Sequence, residues 1–328
     1  MTGRPAGNDP DMTDTSAGPV RPVVVGVDGS KDSLVAADLA ADEAELRRRP
    51  LEIVHAFVPP FGAEPGAILP PPPVPGAGPA VPAAVLHDHA ERLLREAASR
   101  IRAAHPELSM ISRLRDGLPA AVLTGSSRQA DLVVVGHRGR GGFPGMLAGS
   151  VAVQLAAHAA CPVIVARGSA VPEAPVVLGA DGSQAARRAA VFAFDAAARY
   201  GVPVTALYAW PADLAWPPEL VRAGYPPPEV PDLVGETLAG IADRYPAVPV
   251  RPEVHRHTAA HQALVAASAN ARLVVVGSRG RGGFRGLLLG SVSQALIHHA
   301  DCPVAVVGPE SRRPEGGEDQ WTPTAPDG

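Results

Sequence analysis

The residues of this chain best suited to chemistry are glycines set at fixed intervals. Gly136 and Gly139 follow the apolar run LVVV, and Gly149 comes after nine intervening residues, directly before Ser150. The same spacing returns as Gly277, Gly280, Gly290 and Ser291. Glycine lets backbone N–H groups approach a ligand closely and tolerates positive φ. A Gly-Ser pair that opens a helix leaves N–H groups free at the positive end of the dipole, which favours an anion. The serine hydroxyl can add a bond to phosphate or cap the helix. Arg138, Arg140, Arg279, Arg281 and Arg285 add positive charge nearby, although a solvated basic loop accounts for them equally well. The chemistry implied is recognition of phosphate.

A second pair of loops carries an acid. Asp28 stands in GVDGS and Asp181 in GADGS, each directly after an apolar run. Asp-Gly-Ser suits a turn that starts a helix; a ligand-facing carboxylate is the other reading, and the two are compatible. Neither loop is a common phosphate motif. A Walker loop needs Lys after its last glycine, and the dinucleotide fingerprint belongs after a first strand, where this chain has only VDGS. No Ser–His–Asp or Cys–His set repeats, and no pair of carboxylates recurs beside the glycines. His55 has Tyr208 in the corresponding place and reads as a packing residue; His158, His298 and His299 lack partners at metal-ligand spacing. Cys161 and Cys302 each precede Pro and an apolar run, so both read as small residues entering buried strands.

The elements that hold these loops follow from repetition. PVVVGVDGS begins at Pro22 and PVVLGADGS at Pro175; the long glycine blocks begin at Asp131 and Arg272. The blocks keep their order, so the chain reads as one domain duplicated. Apolar runs alternate with helical periods, which implies parallel sheets covered on both faces. In the first half the strands are 23–27, 51–57, a weaker 109–114, 132–135 and 163–166, with helices 32–48, 84–105, 118–130 and 150–159 between them. In the second half the strands are 176–179, 204–210, 250–255, 273–276 and 304–307, with helices 184–200, 232–245, 261–271 and 291–299. In such sheets ligands bind beyond the C-terminal ends of the strands, where strand order reverses. Residues 59–82 hold ten prolines in 24 positions and are expected to form an exposed loop, with a shorter counterpart at 211–231. The tails, 1–20 and 309–328, read as disordered. The net charge of −4 argues against a general nucleic-acid binder. No apolar run is long enough to span a membrane and no signal-peptide stretch opens the chain, so a cytoplasmic location is expected.

The pattern G-x2-G-x9-G-S after a fourth strand, with VDGS after the first, resembles the universal stress protein family in its tandem, ATP-binding bacterial form. The resemblance covers residues 21–168 and 174–308. It implies two doubly wound five-stranded parallel-sheet α/β domains, strand order 3-2-1-4-5, paired through their fifth strands. It implies ATP as ligand, with Mg2+ beside it left open, and phosphate and ribose contacts from Gly136, Gly139, Gly149 and Ser150 and from Gly277, Gly280, Gly290 and Ser291. Asp28 and Asp181 would lie by the nucleoside, and the backbone at Ala56 and Ala209 would face adenine. Ser293 keeps a serine that the family often has and that Ala152 replaces in the first half, so a phosphate hydroxyl is expected in the second site only. The implied role is a nucleotide-dependent stress regulator without strong catalysis, acting through an unknown protein partner, with a homodimer of the tandem chain left open. An interaction scaffold with vestigial sites, or a slow ATP hydrolase, are the alternatives.

Overall fold

The computed structural model describes residues 20–58, 82–139, 149–211, 229–257, 259–280, 288–309 and 311. The first half runs β1 (Val23–Gly26), α1 (Lys31–Arg47), β2 (Leu51–Phe57), α2 (Ala83–Ala104), β3 (Met110–Asp116), α3 (Pro119–Ser127), β4 (Leu132–Gly136), α4 (Ser150–His158) and β5 (Val163–Ala166). The second runs β6 (Val176–Gly179), α5 (Gln184–Tyr200), β7 (Val204–Pro211), α6 (Glu229–Leu238), β8 (Val250–His257), α7 (Ala260–Ser268), β9 (Leu273–Gly277), α8 (Ser291–His299) and β10 (Val304–Val307).

The strands form a single ten-stranded sheet in the order β3-β2-β1-β4-β5-β10-β9-β6-β7-β8. Each half is parallel with order 3-2-1-4-5, and the fifth strands meet antiparallel, with Ile164 opposite Ala305. This is the arrangement the resemblance implies. The central strands β1, β4, β5, β6, β9 and β10 are aliphatic on both faces because helices cover both, whereas the edge strand β3 is polar and mostly exposed. One face of α1 is alanine at positions 36, 37, 40, 41 and 44, all fully buried, so the helix lies close on the sheet. Ser30 and Ser183 start α1 and α5 by accepting N–H bonds from Ser33 and Ala186.

The junction between the halves is unlike across its approximate two-fold axis. Arg47 ends α1 with only 2% of its side chain exposed, and it pairs with Glu43 at 2.9 Å and Asp131 at 3.2 Å. It also reaches Asp195 of α5 at 3.7 Å and lies over the Phe192 ring. Tyr200 occupies the matching end of α5. Its hydroxyl donates to Glu43, and Arg272 stacks on its ring at 4.1 Å. On the other face of the sheet, Arg167 donates to the carbonyls of Ala300 and Ile297 at the C-terminal end of α8, where a cation meets the negative end of the dipole. The connecting chain is tight. Gly168 has φ +54, and a Cβ there would sit 1.9 Å from the Asp301 carbonyl oxygen.

Several expectations shift. The helix expected over 232–245 is α6 followed by Gly240 at φ +67 and a short 3-10 turn at Ala242–Arg244; the left-handed glycine stops the helix. β3 extends to Asp116 because it pairs with the whole of β2. Of the proline-rich segment 59–82 only Pro82 is described, as the residue that precedes α2. Pro211 ends β7 and Pro231 sits in the first turn of α6, while 212–228 and most of both tails lie outside the described residues. Cys161 and Cys302 are buried and free, and burial pushes both thiols up to about 12; they are packing residues rather than nucleophiles. Among the described residues no helix is long and apolar enough to cross a membrane.

Candidate functional site

In the first half a cleft of about 490 Å3 opens over the C-terminal tips of β4, β1 and β2. Asp28, Ala56, Gly136, Gly139, Gly149 and Ser150 all line it, so the structure gathers every residue expected for this site. It adds others that sequence reasoning missed. Pro119 and Leu123 of α3 form one wall, Val54 and His55 the floor beside Ala56, and Val151 and Ala152 extend the first turn of α4. The nearest sequence signal for α3 is Gly117, whose φ of +130 admits little but glycine and aims that helix back over the sheet.

The anion end is built by backbone. Gly149 is the N-cap of α4 and, having no side chain, supplies no cap bond. The first amides of the helix are therefore left for a ligand. The glycine loop is pinched at its base by Gly149 N–H donating to His137 O at 2.7 Å, and His137 N–H is itself tied to Ala166 O. Arg138 lines the same end. Burial holds the His137 imidazole below its ordinary value; Arg167 and Arg138 push the same way, against Asp32 at 3.4 Å. A neutral His137 leaves the loop's positive charge to its arginine and helix dipole.

The four expected glycines do different work. A Cβ on Gly136 would fall 2.8 Å from the backbone of Asp32, so this glycine lets α1 cross the end of β4. A Cβ on Gly139 would fall 2.5 Å from Asp28 Oδ2, so this one lets the loop pass over the carboxylate. Asp28 Oδ1 accepts from Ser30 N–H at 3.0 Å. Asp28 thus serves the α1 turn and also lines the cleft. The cleft also has apolar lining, from Val27, Val54, Ala56, Pro119, Leu123 and Val135. His55 has its Nδ1 2.7 Å from the Val27 carbonyl.

The second half repeats the framework. Gly290 N–H donates to Ser278 O at 2.8 Å. Asp181 Oδ1 accepts from Ser183 N–H at 3.0 Å. A Cβ on Gly280 would fall 2.5 Å from Asp181 Oδ2, and one on Gly277 would meet Ala185. Ser291 opens α8, and Ala209 stands at the tip of β7, paired with His255. Ser293 is 2% exposed and its hydroxyl donates to Gly277 O at 2.7 Å, which fastens α8 to the end of β9. Ala152, which lines the first cleft, fills the equivalent place in the first half without that bond. Thr237 adds a contact of its own, accepting from Gly182 N–H at 2.9 Å. Of the arginines, Arg140, Arg281 and Arg285 lie outside the described residues, and so does Thr258, the counterpart of Gly117.

Comparison with known proteins agrees with this fold. The sequence profile of the Universal stress protein family matches residues 19–167 and again 174–308. Universal stress protein Rv2623 of Mycobacterium tuberculosis is 38% identical over 302 residues, covering 87% of this chain and 95% of its own. Universal stress protein Rv2005c of the same organism is 39% identical over 293 residues, covering 87% and 96%. The crystal structure of a universal stress protein from Archaeoglobus fulgidus superposes with a TM-score of 0.64 at 19% identity, covering 88% of this chain and 98% of that one, which is a likeness of fold. With the doubled motifs, the doubled sheet and these relatives in agreement, the chain belongs to the universal stress protein family and carries two copies of its domain.

Proposed function

We propose that the chain binds ATP in its glycine-loop clefts and acts in the cytoplasm as a nucleotide-dependent regulator, by occupancy and not by turnover. One observation carries this reading: the order of chemistry along the first cleft. Free helix amides and Arg138 stand at the tip of β4, a carboxylate at the tip of β1, and an apolar slot at the tip of β2. Adjacent strands lie about 4.8 Å apart, so the three stations span about 10 Å. Phosphate, ribose hydroxyls and a purine come in that order and at that scale. The duplicated contacts around Asp181, Gly280 and Gly290 support a second site of the same kind.

Regulation by occupancy fits the lining groups. Among the described residues of the cleft, Asp28 is the single carboxylate, and one of its oxygens is held by the α1 turn. The His137–Asp32 pair at the base of the glycine loop does not line the cleft. Among the described residues no cluster of three His, Cys, Asp or Glu is placed to hold a metal. Mg2+ would therefore arrive with the phosphates, with Asp28 as the carboxylate at hand, and would supply charge neutralisation. Occupancy would be read out by a protein partner, or by a second copy of the chain, at the surface loops around the clefts.

The test is mass spectrometry of nucleotide released from purified protein, followed by calorimetric titration of the stripped chain with ATP. Binding with a stoichiometry of one or two is expected. Absence of heat and of released nucleotide would leave the scaffold reading in possession. Phosphate release above buffer background, lost in Asp28→Asn with Asp181→Asn, would instead establish the hydrolase.

A further inference from the structure

The two edges of the sheet are built differently. β3 closes one side and β8 the other. In a parallel pair the N–H and C=O of one residue point to the same side, and successive residues alternate. Leu51 N–H donates to Ser109 O and Gly117 N–H to Phe57 O, so the odd-numbered residues of β3 face β2. The N–H and C=O groups of Met110, Ser112, Leu114 and Asp116 therefore point off the edge, and among the described residues no strand or side chain takes them up. In β8, Val204 N–H donates to Pro249 O, so its even-numbered residues point outward. One of them is Pro252, which has no N–H to offer. Ser112 pairs with Ile53 and Pro252 with Ala206, the third residue of each inner strand. The duplicated halves thus differ at one register position. A proline blunts one edge, as natural sheets commonly arrange, and a serine leaves the other continuous over the seven residues of β3.

The side chains along that edge set what it can accept. Ile111, Arg113 and Arg115 share a face with Glu52 of β2 and are exposed there. Arg113 Nε lies 3.1 Å, and Arg115 Nη2 3.3 Å, from the same Glu52 oxygen, Oε1. Two cations share one carboxylate, so the ledge keeps one positive charge in excess. On the matching face of β8 the acid Glu253 offsets Arg251. A second copy of the chain is a poor occupant, because two β3 edges related by a two-fold axis would bring four of these arginines against two carboxylates. We propose that the β3 edge is a docking strand for an extended acidic segment of a protein partner, which pairs antiparallel with residues 110–116 and sets carboxylates opposite Arg113 and Arg115. Backbone bonds supply the grip, and the arginines supply the choice of partner. No residue of β3 lines the first cleft, and the inference stands independently of nucleotide binding.

The probe is a fluorescein-labelled peptide, Thr-Glu-Val-Glu-Thr-Val-Thr, capped at both ends, whose glutamates fall opposite Arg115 and Arg113 when it runs antiparallel to β3. Its binding to the full chain is followed by fluorescence anisotropy at low ionic strength, and saturable binding is expected. Methylating the backbone nitrogens of its third and fifth residues, which donate to β3, keeps every charge and should weaken binding about tenfold. Replacing both glutamates by lysine should weaken it by at least as much. Ser112→Pro copies the residue of the other half and removes an outward N–H without touching a bond to β2. It should weaken the original peptide about tenfold, with a melting temperature within a few degrees of the parent. Should Ser112→Pro not fold, the methylated peptide on the unaltered chain decides. Absence of saturable binding at millimolar peptide overturns the proposal. Equal binding of the methylated peptide reduces the contact to charge alone and overturns it too, as does equal binding of the lysine peptide. A dimer of the full chain that Ser112→Pro dissociates in sedimentation velocity would assign the edge to a second copy, again overturning it.

Discussion

Gly139→Ala separates a ligand-binding glycine from a structural one. The added Cβ would lie 2.5 Å from Asp28 Oδ2, whereas a comfortable carbon–oxygen contact is about 3.3 Å or more. Loop and carboxylate must therefore part by about 0.8 Å. The carboxylate is the end of a side chain and can swing, and Gly139 is exposed, so the fold should tolerate the change. The swing has two consequences in the cleft. It lengthens the 3.0 Å bond from Ser30 N–H to Oδ1, and it moves Oδ2 off the line along which a sugar hydroxyl would meet it. Loss of one hydrogen bond to a charged acceptor is worth about 1.5–3 kcal/mol, which corresponds to a 10- to 150-fold weaker site. Calorimetric titration of Gly139→Ala measures it in a Gly280→Val background, where the added side chain collides with the Asp181 carboxylate and confines binding to the first cleft, with a melting curve as control. The expected result is a weakening of at least tenfold with a melting temperature within a few degrees of the parent. Unchanged affinity refutes the assignment of Gly139 and Asp28 to the ligand. The contrast is Gly136→Ala, whose Cβ meets the Asp32 backbone at 2.8 Å, and which should lower the melting temperature first and affinity only as a consequence.

Further outcomes follow from the junction and the loop base. Arg47→Met leaves Glu43, Asp131 and Asp195 facing one another without their shared cation and should cost about 3–5 kcal/mol in urea denaturation; a loss below 1 kcal/mol would mean the network contributes little. Arg48 is exposed at φ +52, where its counterpart is Gly201 at φ +69, so Arg48→Gly should stabilise the chain by about 0.5–1 kcal/mol in the same assay; a destabilised variant contradicts the strain argument. His137 has its pKa lowered from an ordinary 6.5, so the unfolded chain takes up that proton more readily and stability is lost as pH falls below about 6.5. The drop in melting temperature between pH 7.5 and 5.5 should be smaller in His137→Asn, and an equal drop would show that other groups dominate.

The framework was legible because its signals are local. Aliphatic runs and serine caps set the strands and the helix starts, and the strand order that the sheet displays came with the family resemblance that the doubled glycine spacing carries. What the sequence could not separate were residues of one type serving different neighbours. Gly136 and Gly139 stand three apart in one motif, yet one clears a path for a helix and the other for a carboxylate. The bond from Ser293 to the Gly277 carbonyl could not be read from the sequence, because it depends on where β9 ends against α8. Nor could the bond of His55 to Val27, because it joins the tips of two strands far apart in the chain. The α6 boundary failed because helical periodicity continues through a glycine whose left-handed conformation ends the helix. The Arg47 cluster was invisible, since it exists only when an antiparallel strand pair brings residue 47 against residue 195.

That strand pair also fixes how the two sites relate in number and in time. β5 and β10 belong to one polypeptide, joined by a connection that Gly168 folds directly onto Asp301. A pair of separate subunits comes apart on dilution and must present the same residue from both sides of its axis. Here the partner is always within reach, at an effective concentration that no dilution alters. The unlike contacts of Arg47 and Tyr200 are therefore permanent, and each molecule carries the two halves in a one-to-one ratio independent of how much of the protein is present.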